Sequence, residues 1–126
     1  MTLPDLITLP NGNKTVPTFS ASEMEGRLDR LRQAMAQEGV DAVLFTSYHN
    51  VNYYSDFLYC AFGRSYGLVI DHDGQTSISA NIDGGQPWRR TFGDNVIYTD
   101  WQRDNYFRAV QKLIKDGQTV GIEFDI

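Results

Sequence analysis

The sequence is short of several things, and each shortage excludes something. It has one cysteine, Cys60, so no disulfide forms within the chain, and a reducing cytoplasm fits. Basic residues are in deficit: eleven Lys and Arg against sixteen Asp and Glu leave a net charge of −5. A nucleic-acid partner is therefore not expected, because phosphate binding needs a basic footprint. Long apolar runs are missing too. Stretches such as Ala42 to Phe45 are far too short to span a bilayer, and the first residues show no basic-then-apolar leader pattern. There are two histidines, His49 and His72. Only the Asp71-His72-Asp73 run sets acids beside one, and it reads as a solvated turn, so no metal is expected. Asp83-Gly84-Gly85 lacks both the glycine fingerprint and the lysine of a phosphate loop. Repeats and low-complexity segments are absent.

What is present is enough for one domain. The 126 residues are 41% apolar and 21% charged, the balance of a folded chain with a real core. Leu6 to Leu9, between Pro4 and Pro10, reads as an edge strand or a docking arm, which sets residues 1–18 apart from a domain over 19–126. Ser20 with Glu23 three residues later forms a capping box. Met24, Leu28, Leu31 and Met35 then give one apolar helical stripe that Gly39 stops. Arg27, Asp29, Arg30 and Arg32 read as its solvated face. Val40 to Phe45 is a buried strand, Thr46 to Asn50 a polar turn, and Val51 to Asp56 a short helix. Phe57 to Cys60 and Tyr66 to Asp71 read as paired strands, and Asp73-Gly74 turns the chain into Thr76 to Ala80. Gln86 to Phe92 predicts a short helix and Asn95 to Thr99 a strand. Asp100 is expected to cap a helix whose buried stripe is Phe107, Val110 and Ile114. Thr119 to Phe124 is the last strand. Helices interleaved with short strands and one hairpin make this an α/β fold, a mixed β-sheet flanked by helices. A chain ending on a core strand is expected to be part of a longer protein.

Chemistry concentrates in one stretch, FLYCAFGRSYGLVID, from Phe57 to Asp71. Four aromatics surround a single Arg64, with Gly63 before it and Gly67 soon after. An unpaired guanidinium loses hydration on burial, so Arg64 snorkels to solvent, pairs with an acid elsewhere, or meets an anionic ligand. The glycines permit close approach, and the aromatics offer flat faces to a cation. A small zwitterion would suit the pair, its carboxylate on Arg64 and its far end on Phe62. Elsewhere Cys60 has no adjacent base, and Ser47-Tyr48-His49 adjacency is not the geometry of a nucleophile and its base. No catalytic residue is assigned. Trp88, Trp101 and several tyrosines fall in or beside predicted turns and mark a surface made for a partner. Arg89 and Arg90 read as a solvated helix face.

Several strings are similar to those of the creatinase family: LFTSYH (Leu44 to His49), NYYS (Asn52 to Ser55), FGR (Phe62 to Arg64), IDGGQPWRR (Ile82 to Arg90), FGDN (Phe92 to Asn95), YTDW (Tyr98 to Trp101) and GIEFD (Gly121 to Asp125). The resemblance covers roughly Phe19 to Asp125. It implies a ribonuclease H-like N-terminal domain of a homodimeric hydrolase whose catalytic residues lie in a C-terminal pita-bread domain absent from this sequence. The implied reaction takes creatine and water to sarcosine and urea with no metal or cofactor, although peptidase relatives use two metals. The resemblance further implies that Phe62 and Arg64 reach into the partner subunit's active site and hold substrate. This chain alone is then not an active enzyme. An alternative is the N-terminal domain of a prolidase or Xaa-Pro aminopeptidase relative, serving dimerisation and access. A free-standing binding module is a third reading.

Overall fold

A computed structural model describes residues 4–9, 17–57, 64–83, 90–100 and 103–123. Helix α1 (Ala21–Glu38) begins where expected: Ser20 is extended, at φ −64° and ψ 156°, and its hydroxyl accepts from Glu23 N. It ends where Gly39 turns left-handed at φ 69°, with Val40 N reaching back to Met35 O at 2.8 Å. Met24, Leu28 and Met35 are buried and Leu31 half-buried, as the stripe requires.

The polar side of α1 departs from the solvated face expected of it. Arg27 is buried, its guanidinium 4.3 Å from the ring centres of both Phe19 and Tyr53. Its Nη1 donates to Tyr53 O at 2.8 Å and its Nε to Glu23 at 3.1 Å. Arg32 donates to Asp71 O and to Gln75 Oε1. Helical periodicity does not see Tyr53, Asp71 and Gln75, because they come from elements that fold over the helix later in the chain.

Among the described residues six strands form one sheet: β1 (Leu6–Leu9), β2 (Ala42–Phe45), β3 (Gly67–Asp71), β4 (Gln75–Ala80), β5 (Asp94–Tyr98) and β6 (Val120–Ile122). Their spatial order is β1-β5-β4-β3-β2-β6. Strands β2 and β6 pair in parallel, as do β4 and β5, whereas β3 is antiparallel to both its neighbours and β1 is antiparallel to β5. The β3–β4 hairpin turns on Asp71, whose Oδ1 accepts from Asp73 N and Gly74 N at 2.8 Å each. Of the arm, Leu6–Leu9 is the edge strand.

Alternation along β3 divides the core. Leu68 and Ile70 face α1 and a second helix, α2 (Tyr48–Ser55), with Leu28, Val51 and Phe57. Val69 faces a third, α3 (Asn105–Leu113), with Ile78, Val96, Tyr98, Tyr106 and Ala109. The fold is therefore a mixed sheet with helices on both faces.

Three expectations are corrected. The polar turn after β2 is a helix start: Ser47 caps α2, accepting from Asn50 N, so the helix begins at Tyr48 and not at Val51. Phe57 is buried but belongs to no strand. In α3 the helix starts at Asn105, not after Asp100, and Phe107 is 62% exposed. Asn105 Nδ2 donates to Thr99 O at 2.6 Å, which turns Asn105, Tyr106 and Ala109 inward and rotates Phe107 out. Val110 and Ile114 keep marginal places against the core. Leu58 to Cys60, Phe62, Gln86 to Arg89, Trp88, Trp101 and Phe124 lie outside the described residues.

Gly93, before β5, is a position where only glycine fits. Its φ is 111°, and a Cβ there would lie 2.7 Å from Gln75 O. Both the dihedral and the contact oppose a side chain, so Gly93→Ala is expected to cost about 2 kcal/mol or more. Urea unfolding checks this; an unchanged midpoint would contradict the packing of β5 against β4.

Candidate functional site

Strands β2, β4, β5 and β6 all run one way, and β3 runs against them. The register pairs Phe45 with Leu68, Gly67 with Ile78, Leu44 with Ile122 and Ala80 with Tyr98. The start of β3 therefore shares an edge with the ends of four strands, and open α/β sheets commonly place their chemistry at such carboxyl ends. That edge gathers Arg64 to Tyr66, the first turn of α2, Asn81, Ile82 and Glu123.

Arg64, half-buried, stands three residues before β3. The backbone that follows it is held by two phenols. Tyr98 Oη donates to Ser65 O at 2.5 Å, and Tyr106 Oη donates to Tyr66 O at 3.2 Å. The tyrosine rings meet edge to face, centres 5.9 Å apart. Burial, then the neighbouring Tyr98 and Tyr66, pushes the Tyr106 hydroxyl up to about 12. Tyr66 lays its ring against Phe57, and burial, Glu123 and Tyr48 raise its own pKa.

Glu123 is a tie at this edge that the sequence reading missed. One carboxylate oxygen accepts from Ser47 N at 2.7 Å and Thr46 N at 3.1 Å. The other accepts from Ser47 Oγ at 2.9 Å and from Asn50 Nδ2. Desolvation pushes its pKa up, but the donors from Asn50, Ser47 and Thr46 together outweigh that and hold the carboxyl below its usual range. The acid sits on the N-terminus of α2, where helix dipole and unpaired amides favour negative charge. It bolts the end of β6 to the start of α2. The only local signal was a helix-capping Ser47 with Asn50 three residues on; the acid arrives from the far end of the chain.

The other candidates scatter. His72 Nε2 lies 3.1 Å from Val40 O, and Asp71 is occupied by its own turn. Among the described residues no three His, Cys, Asp or Glu side chains group as metal ligands, and no helix is long and apolar enough to cross a membrane. Tyr48 and His49 are exposed on α2, Arg90 is half-buried, and Phe62 and Cys60 lie outside the described residues. Ile82 and Ile122 are exposed at the same edge as Arg64.

The mixed sheet and its occupied carboxyl edge define a class. A family model for the Creatinase/Prolidase N-terminal domain matches residues 27–126, and the chain belongs to that family. It is 58% identical over 106 residues to the creatinase of Bacillus sp. (strain B-0618), a match covering 84% of this chain and 26% of that protein. The chain thus spans about a quarter of the curated relative. Among solved structures it resembles the Creatinase/Prolidase N-terminal domain of an X-Pro dipeptidase from Streptococcus pyogenes, with TM-score 0.68, 18% identity, and coverage of 79% of this chain and 77% of that one. A prolidase from Thermococcus sibiricus superposes with TM-score 0.69 at 15% identity, over 85% of this chain and 30% of that one. At such identities these structures speak for the fold alone.

Glu123→Gln turns an amide toward donors that now face a carboxylate. At neutral pH it is expected to lower stability by roughly 1–2 kcal/mol. The folded pKa lies below the ordinary 4.5, so Glu123 stabilises fully above that value and loses its effect as pH falls through the folded value. Urea unfolding of both proteins across that range should show the gap closing in acid. A gap as wide in acid as at neutrality would refute the carboxylate's role.

Proposed function

We propose that this chain is the N-terminal domain of a creatinase-like hydrolase that converts creatine and water to sarcosine and urea. The observation that carries the reading is its 58% identity to a creatinase. The peptidase alternative draws on neighbours of 18% and 15% identity, which bear on fold and not on substrate.

In this reading Arg64 takes the substrate carboxylate through two parallel N–H···O bonds, fixing orientation as well as position. Phe62 offers an apolar face to the methylated guanidinium. Neither group moves a proton; both hold substrate for residues supplied by the rest of the protein. The parent protein is a cytoplasmic homodimer, and Arg64 and Phe62 of one protomer serve the active site of the other. The single cysteine is in keeping with a reducing compartment. Exposed Ile82 and Ile122 beside Arg64 support an edge that meets another surface.

Two measurements test this. The 126-residue chain by itself is expected to release no urea from creatine above a buffer blank. In the full-length hydrolase, Arg64→Ala is expected to lose a charge-assisted pair of about 2–3 kcal/mol. That corresponds to a drop of roughly thirty- to a hundred-and-fiftyfold in kcat/KM. Arg64→Lys keeps the charge, loses the fork and falls between. A kcat/KM within about twofold of wild type for Arg64→Ala would remove Arg64 from the site.

A further inference from the structure

We propose that Tyr98 and Tyr106 are positioning residues that hold the Arg64 backbone in register for substrate, an inference that rests on the reading of Arg64 given above. Their hydroxyls bond two consecutive carbonyls, Ser65 O and Tyr66 O, the first two after Arg64 itself. They come from different elements, β5 and α3, so the segment is located from two independent directions. This stretch precedes β3 and has no place in its paired ladder, which begins at Gly67. The phenols do there what strand pairing does further on.

Three smaller features make the arrangement possible. Continuing the β3–β4 register would set Ser65 opposite Ala80, and Ala80 is paired on its other side with Tyr98. Only a methyl stands between them on that face, which lets the Tyr98 ring cross β4. Gly67 admits the second hydroxyl, since a Cβ there would lie 2.8 Å from Tyr106 Oη. Asn105, tied to Thr99 O at 2.6 Å, sets the rotation of α3 that aims Tyr106 inward. The Tyr106 phenol keeps its proton through neutral pH and stays a donor.

Replacing either tyrosine with phenylalanine keeps the ring and deletes only the bond. The segment then loosens by less than an ångström or so, yet displacements of that size at a binding group degrade catalysis markedly. The experiment is a double-mutant cycle in the full-length hydrolase. Tyr98→Phe and Tyr106→Phe, each in wild-type and Arg64→Ala backgrounds, are assayed for creatine kcat and KM. The expected result is a KM raised about three- to tenfold per hydroxyl, with kcat within about twofold. In the Arg64→Ala background the same changes should leave kcat/KM within about twofold, because their target is gone.

Equal losses in both backgrounds would mark the tyrosines as general structural residues and overturn the proposal. So would unchanged KM in both phenylalanine variants where Arg64→Ala is damaging. If Arg64→Ala itself does nothing, the substrate role of Arg64 fails first and the positioning role falls with it. A second measurement needs no turnover. In the 126-residue chain, the Arg64 Nε–Hε resonance should shift in Tyr98→Phe and Tyr106→Phe while those of Arg27 and Arg32 stay in place; an unmoved Arg64 signal overturns the proposal.

Discussion

The direction of β3 governs the rest of this molecule. Four strands run together and β3 alone opposes them inside the sheet, so the chain enters it at the edge where the others leave. Its core residues are buried on both faces, with Leu68 and Ile70 at 0% exposure and Val69 at 3%. A slip of one residue would exchange those faces and press each side chain into the wrong helix layer, so the register is fixed by packing. Everything at the carboxyl edge inherits its position from that register, Arg64 included.

The edge itself is tied by polar groups of two kinds. Phenols reach backbone carbonyls at the start of β3, and one carboxylate reaches backbone amides at the start of α2. The phenol bonds reach main chain, and the carboxylate takes two backbone amides together with the Ser47 hydroxyl and the Asn50 side chain. Around α1, by contrast, Arg27 and Arg32 are absorbed into packing and bond oxygens of other elements. Those surroundings make the two arginines structural, which neither composition nor spacing reveals.

What the sequence made legible follows the range of each interaction. The start and end of α1 were readable because Ser20 and Gly39 act on residues within five positions. The β3–β4 turn was readable for the same reason. The start of α2 was misplaced because Ser47 reads as a loop residue unless its bond to Asn50 N is known. The face of α3 was misjudged at Phe107 because Asn105, a polar residue, is the one drawn inward. At the edge, Arg64 stood out from its aromatic company alone. Its supports did not: Tyr98 acts across 33 positions, Tyr106 across 40 and Glu123 on Ser47 across 76. Patterns of period two and 3.6 carry no information over such distances.

The outermost pairing has a consequence for the order of assembly. Strand β1 precedes the residues that the family model matches, yet it closes the open side of β5, Leu6 against Tyr98 and Leu9 against Asn95. Asp5 and Thr8 then meet Arg108 and Lys112 of α3, so the arm is fastened to both elements it covers. On a growing chain β1 has no partner until β5 has been synthesised and has docked on β4. Contacts so distant in sequence form slowly, because the long loop must close before they contribute. In that interval β5 presents an unpaired edge with a sticky row of Val96, Ile97 and Tyr98, the geometry by which partly folded chains join one another. Strand β1, by pairing with β5, covers the edge that would otherwise stay open to another chain.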